Sequence, residues 1–336
     1  LDKARRLSTA PMIMWSTRHA RYLWRLLSRH ALLYTEMVTT GALRYGPRDQ
    51  LLAHHPAERP LALQIGGAEP KALAECARMA EDAGFDEVNL NVGCPSDRVQ
   101  TGHFGACLML DPSGVARSVE AMRAAVDRPV TVKHRIGVDH QVPEQSLPRF
   151  LRALRDAGCD HVIIHARKAW LQGLDPKANR NVPPLRYALV RDMKRAFPTL
   201  GITVNGGIHD LETAAGFLEQ GFDGVMMGRA VYNHPSLLAA ADRRIFGDVT
   251  PDPDPRAVVL DYAEYAEAAL AEGATFRHLV PPLLGLFPGR PGARRWRRHL
   301  SEAGSEAGPE TIREALEHLH AKPPGTRAPG FEEAPR

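Results

Sequence analysis

The chain has 336 residues, 44% of them hydrophobic, which is room for one large domain, a smaller one and a substantial core. A net charge of +4 is too small to identify an anionic partner, so the location of the charge matters more than its sum. No apolar run approaches the roughly 18–20 residues of a membrane helix and the opening LDKARR has no signal-peptide core, so a cytoplasmic protein is expected; the 4 cysteines include no CxxC pair, which argues against zinc and thioredoxin-like chemistry.

In chain order, a first strand is expected over Leu7–Ile13, a helix over His19–Arg29 with Leu23, Leu26 and Leu27 at helical spacing, and a second strand over Leu32–Val38. A polar loop (41–58) leads to a third strand, Pro60–Ile65, and a helix, Glu69–Ala83, closed by Gly84. The fourth strand, Glu87–Val92, delivers Cys94. The rhythm repeats: helix 113–126, strand 129–135, helix 146–157 with Gly158 as its cap, strand 161–167, a long polar loop, helix 186–196, strand 201–207, helix 211–220 capped by Gly221, and strand 224–229. Short apolar strands separated by helices must pair in parallel, because parallel neighbours need a crossover. Eight such units fit a (β/α)8 TIM barrel, and no GxGxxG follows the first strand to favour an open doubly wound sheet. Beyond a proline-rich linker (248–255), helical patterns over 257–271, 276–286, 292–300 and 310–320 predict a small all-helical domain. The expected division is a barrel over 1–245, a helical domain over 246–320 and a Pro/Gly-rich tail over 321–336.

Active sites of such barrels lie at the C-terminal ends of the strands. Those ends offer Pro11 and Met12, Glu36, Gln64, then Asn89, Asn91 and Cys94, then Lys133 and Arg135, His165 and Arg167, Asn205-Gly206-Gly207, and Gly228-Arg229. The last two strand ends suit a phosphate, since glycines let backbone N–H groups approach an anion and Arg229 adds charge. Gln64 and Lys133 suit the edge of an electron-accepting heterocycle. Together they point to flavin mononucleotide, with a phosphosugar as the competing ligand. Cys94 has two open roles, nucleophile or general acid; a free thiol with a pKa of about 8.5 can donate a proton at neutral pH.

These residues closely resemble the tRNA-dihydrouridine synthases, most nearly the bacterial A type. The resemblance rests on Ala10-Pro11-Met12, LYTEMVTTG (33–41), LQIGG (63–67), NLNVGCPSDRVQ (89–100), GHFGACLM (102–109), TVKHRIG (131–137), IHAR (164–167), LQG (171–173), Asn205-Gly206-Gly207, residues 224–229 and residues 289–300. It implies reduction of a uridine C5=C6 bond in the tRNA D-loop, at positions 20 and 20a, by FMN with NADPH as electron source. Cys94 would then be the proton donor to C5 while hydride goes to C6. Pro11, Met12, Ile13, Gln64, Lys133, His165, Asn205, Gly206, Gly207, Gly228 and Arg229 would hold FMN, and Asn91 would lie against the substrate nucleotide. It also implies that Lys177, Arg180, Arg294 and Arg297 face tRNA, with no metal, membrane or obligate protein partner. One departure stands out: Met14 precedes Trp15 where the family usually has Asp.

Independently of the resemblance, two basic stretches suit RNA. Lys168, Lys177 and Arg180 surround Trp170 after strand six, and Arg290, Arg294, Arg295, Arg297 and Arg298 occur with no acid between them. Helical spacing puts Arg294, Arg297 and Arg298 on one face, with Trp296 free to pack on the core. Two other readings remain at this point. A small-molecule flavin oxidoreductase leaves the basic helical region unexplained, and a tRNA-binding protein with an inert barrel leaves Cys94 unexplained.

Overall fold

The computed structural model describes residues 1–96, 99, 101–304 and 306–319. Its centre is an eight-stranded parallel sheet: β1 (Leu7–Thr9), β2 (Leu33–Thr39), β3 (Leu61–Gly66), β4 (Glu87–Val92), β5 (Val130–Arg135), β6 (His161–His165), β7 (Gly201–Asn205) and β8 (Gly224–Met227). From β2 to β8 each strand pairs with its sequence neighbour, and β8 pairs with β1. A parallel bridge from Ser8 to Leu32 brings β1 against β2 and closes the ring.

The crossover helices are α1 (Arg18–Leu27), α2 (Pro70–Asp82), α3 (Pro112–Arg123), α4 (Pro143–Asp156), α5 (Tyr187–Ala196) and α6 (Leu211–Glu219). Their starts are written in the sequence: Thr17, Glu69, Asp111 and Asp210 each accept a hydrogen bond from a first-turn N–H, and Pro70 and Pro112 stand where no N–H is needed. Gly84, Gly158 and Gly221 follow three of the helix ends at φ of +88°, +83° and +92°. Strand residues alternate. Leu63, Leu90, Val132, Val162 and Val204 face outward into a fully buried layer with Leu73, Ala77, Val119, Leu151 and Val190 of the helices, each large side chain contributing about 1.5–3 kcal/mol. Ala10, Leu32, Tyr34, Ala62, Ile163 and Met226 form a separate cluster inside the ring.

The structure departs from the expectations in three ways. The 41–58 stretch is not an open loop but holds helical turns at Thr40–Tyr45, Arg48–Leu52 and Pro56–Glu58; these are too short to display periodicity. Strands β1, β6, β7 and β8 end two to four residues early, because the chain turns away at Pro11, at Gly206-Gly207 and at Gly228, and after β6 at a turn in which Arg167 N donates to the His165 carbonyl. Helix α4 starts at Pro143, with Pro148 tolerated inside it.

The C-terminal segment forms α7 (Pro255–Ala271), short turns over 276–283, α8 (Ala293–Ser301) and α9 (Pro309–Glu317). It docks on α1. Tyr265 stacks on Tyr22 with ring centroids 3.9 Å apart, and its hydroxyl lies 2.8 Å from Nδ1 of His19. Burial lowers His19 to about 4. The expected tail over 321–336 lies outside the described residues. No described helix is long and apolar enough to cross a membrane.

Candidate active site

A cavity opens at the C-terminal ends of β1 and β5–β8. Its wall includes Pro11, Met12, Lys133, His165, Arg180, Asn205, Gly206, Gly207, Gly228 and Arg229. Nine of these ten were expected around one flavin; Arg180 is the exception. No carboxylate lines the cavity among the described residues, so its charge is unopposed and suits an anion.

Lys133 donates to Asn205 Oδ1 at 3.0 Å, and Asn205 donates in turn to the Met226 carbonyl at 2.9 Å. Burial, reinforced by the Arg135 guanidinium, brings the Lys133 ammonium down to about 7. Burial, with Arg135, Lys133, Arg167 and Arg229 around it, also holds the His165 imidazole well below its ordinary range, so it is a neutral ligand. Gly206 has φ of +109°, and a Cβ there would stand 2.5 Å from His165 Cδ2. Only bare backbone fits at that point, which leaves the peptide open to whatever occupies the cavity. Tyr187 fixes this turn by donating to the Gly206 carbonyl. The donor set and the glycine wall fit the phosphate-bearing part of a flavin nucleotide.

The loop after β6 is tied down over this cavity. Arg229 donates to Asn181 Oδ1 at 2.8 Å, and Arg167 to the Pro183 carbonyl. Arg135, almost fully buried, reaches three backbone carbonyls: Gly93 at 3.2 Å, Lys168 at 3.1 Å and Asn179 at 2.9 Å. It therefore joins the turn before Cys94 to the loop that carries Lys177 and Arg180.

Cys94 is half-buried, with Sγ 3.5 Å from Ser96 Oγ. Its turn is capped from below: Asn91 Oδ1 accepts from the N–H groups of Gly93 (3.1 Å) and Cys94 (3.0 Å). The Cys94 carbonyl accepts from Ala106 N at 2.9 Å. Among the described residues, no histidine or carboxylate hydrogen-bonds the thiol, as the base that activates a cysteine nucleophile would.

A second cleft, of about 610 Å³, runs from the barrel mouth to the C-terminal segment and is lined by Ile13, Trp15, Glu36, Ser96, Phe104, Tyr232 and His278, among others. That size is within the range of small-molecule sites. Trp15 and Tyr232 stack in its wall at 4.5 Å and 4°. Met14 takes φ of +66°, where its N–H donates to Glu36 Oε1 and its side chain is 76% exposed. Asp and Asn tolerate that left-handed conformation better than Met does.

Two expected flavin ligands are therefore placed apart from the glycine-lined cavity. Ile13 lines the second cleft. Gln64, 1% exposed, lies beneath the rim, bonded to Asn89 and Asn91 at 2.8 Å each. Arg180, expected on RNA, is exposed and also borders the cavity. Lys177 is exposed, as are Arg294 and Arg297. On α8 the four exposed guanidiniums of Arg294, Arg295, Arg297 and Arg298 have no carboxylate partner among the described residues, while Trp296 is buried against Phe287 at 5.1 Å and donates to the Leu283 carbonyl at 3.2 Å. Sequence reasoning did not single out Tyr232, nor Glu87 and Thr131 beneath the site. Glu87 and Thr131 are polar residues that alternate with the apolar Val88 and Leu90, and Val130 and Val132, a pattern that marks them.

Comparison with known proteins agrees with this geometry. The sequence model described as dihydrouridine synthase matches residues 8–321. The chain is 54% identical over 314 residues to the tRNA-dihydrouridine(20/20a) synthase of Shigella flexneri, covering 93% of this chain and 91% of that protein. It is 52% identical over 314 residues to the protein of that name from Vibrio cholerae, covering 93% and 95%. Among solved structures, the old yellow enzyme homologue from Zymomonas mobilis superposes with a TM-score of 0.52 at 16% identity, over 74% of this chain and 90% of that one. Morphinone reductase gives the same TM-score at 15% identity, over 77% and 91%. These last two speak for the barrel alone.

Proposed function

The chain belongs to the dihydrouridine synthase family, and from that premise we propose that it reduces the C5=C6 bond of D-loop uridines in cytoplasmic tRNA, at positions 20 and 20a, with FMN as its flavin and NADPH as electron donor. Relatives 52–54% identical over the 314 matched residues are named tRNA-dihydrouridine(20/20a) synthase. The observation that carries the reading is the carboxylate-free cavity of Lys133, His165, Asn205, Gly206, Gly207, Gly228 and Arg229, with a capped Cys94 turn on a neighbouring stretch of the rim.

The flavin, when bound, supplies the hydride that goes to C6. Lys133, Arg229 and the backbone of Gly206 and Gly207 hold its anionic and electron-rich parts. Cys94 delivers a proton to C5, so that uridine, NADPH and one proton give dihydrouridine and NADP+. Membership of the family, whose resemblance implies a proton donor at this cysteine, supports the acid role over nucleophilic attack. Asn91 holds the Cys94 turn beside the nucleotide. Residues 1–245 act as the flavin-holding unit and residues 246–320 as the RNA-holding unit, with Arg294, Arg297 and Lys177 on the phosphate backbone. A base inside folded tRNA has to be drawn out of its stack to reach such a mouth, and the 610 Å³ cleft beside Ser96 has room to take it.

The test is a visible spectrum of the purified protein through one cycle. A flavin band that bleaches with NADPH and returns anaerobically only when tRNA is added is the expected result. Cys94→Ala should keep the band and lose about 10²–10⁴-fold in turnover. A bleached flavin that ignores tRNA would instead indicate a small-molecule reductase, and a protein that takes up no FMN would overturn the reading of the cavity.

A further inference from the structure

Beneath the Cys94 turn, the inward residues of β4 form a ladder: Glu87, Asn89 and Asn91. Thr131 of β5 and Gln64 of β3 fill the gaps between them, and the side chains are joined by hydrogen bonds from the barrel floor to its rim. At the floor, Glu87 is fully buried. Arg5 takes its Oε2 through Nε at 3.0 Å and Nη2 at 2.7 Å, and the hydroxyls of Tyr34 and Thr131 both donate to its Oε1, the latter at 2.7 Å. Every neighbour gives Glu87 a hydrogen.

That fixes the sense of everything above it. Thr131, having given its one hydrogen downward, can only accept from above, and Asn89 Nδ2 donates to it at 2.8 Å. Asn89 must then present Oδ1 to Gln64, whose Nε2 donates at 2.8 Å. Gln64 must present Oε1 to Asn91, whose Nδ2 donates at 2.8 Å. Asn91 is left with its oxygen facing the N–H groups of Gly93 and Cys94. Each amide has two faces of similar shape, and the carboxylate at the bottom and the two backbone N–H groups at the top select the same one for all three.

We propose that Glu87 is a positioning residue for Cys94, acting through this one-way chain of Thr131, Asn89, Gln64 and Asn91. The inference rests on Cys94 being the proton donor, although the chain itself does not. Its consequence is a loss of sense. In Glu87→Gln the amide oxygen has to face Arg5, so the NH2 faces Thr131, whose hydroxyl then accepts from below and has its one hydrogen released. The floor no longer opposes the turned-over chain, in which Thr131 donates upward, the three amides reverse and Asn91 meets the two N–H donors with an NH2. The cap of the Cys94 turn is weakened with no atom near the thiol changed.

The experiment compares Thr131→Val, Thr131→Ser and Glu87→Gln in the full-length flavin-loaded protein. Two quantities are read: steady-state kinetics on tRNA, and the rate at which iodoacetamide alkylates Cys94, followed on the peptide that carries it. Thr131→Val leaves the Arg5–Glu87–Tyr34 contacts in place and breaks only the link. It should lower kcat by about tenfold to a hundredfold while KM stays within about twofold, as expected for a misplaced reacting group. Alkylation of Cys94 should speed up several-fold, with the buried Cys76 and Cys159 unaffected. Thr131→Ser, which keeps the hydroxyl, should restore both quantities. Glu87→Gln should match Thr131→Val, and it carries the same contrast should the valine variant fail to fold. Wild-type values for both Thr131→Val and Glu87→Gln, or equal damage from Ser and Val, would overturn the proposal. If instead Cys94→Ala turns over normally, the acid role fails, while the alkylation series still decides whether Glu87 holds the turn.

Discussion

Lys133 gives up its charge around neutrality, because burial and the Arg135 guanidinium bring its ammonium down to about 7. In the flavin-free protein the charged form therefore predominates below that pH and is lost above it. FMN affinity, measured by fluorescence quenching, should loosen above pH 7 by up to about tenfold per pH unit as the competent form is depleted. Lys133→Gln should bind more weakly and give a flat profile. Much of this site was legible from residue type alone, since glycines, a lone Cys-Pro and polar residues at strand ends are costly to place without a use for them. What was not legible was the direction in which a side chain points. Gln64 and Arg180 both lie near the rim, yet Gln64 is bonded between Asn89 below it and Asn91 above it, and Arg180 borders the cavity. The hydrogen bond between Thr131 and Glu87 spans 44 positions in sequence and leaves no local trace.

Helix α8 shows how an element divides its labour. Ala293, Trp296 and Leu300 face inward and anchor it, while Arg294, Arg295, Arg297 and Arg298 face outward. Replacing Arg294 and Arg297 together by Ala should leave the fold intact, because neither side chain packs. It should weaken tRNA binding and reduce the slope of log affinity against log salt by roughly one for each phosphate that is no longer neutralised; an unchanged slope in a salt titration would remove α8 from the RNA surface. The helix was readable because nine residues suffice to show a 3.6-residue period. The turns at Thr40–Tyr45 and Arg48–Leu52 were not, since one or two turns cannot show a period, and they are held by a Thr39 cap and by tertiary packing instead.

Across the whole molecule, several imidazoles are buried where they cannot be charged. His134 lies beneath α4, 4.9 Å from the Phe150 ring, and burial lowers it to about 4; His161, beside Thr203 at the barrel floor, is lowered to about 3. The unfolded chain takes up protons at these residues near pH 6.5, whereas the fold refuses them, so stability is complete above that value and is lost on acidification towards 3. Each such histidine adds a slope of about 1.4 kcal/mol per pH unit within its window. Urea unfolding between about pH 7 and pH 4.5 should show this loss, and His134→Leu should make it shallower. The docking of α7 on α1 through Tyr265, Tyr22 and His19 has a different consequence. Because the joint is a stacked, hydrogen-bonded seat, parting α7 from α1 would uncover Tyr22, Tyr265 and His19 together. On the proposed reading, such a seat would set the span between a gripped RNA backbone and the thiol of Cys94.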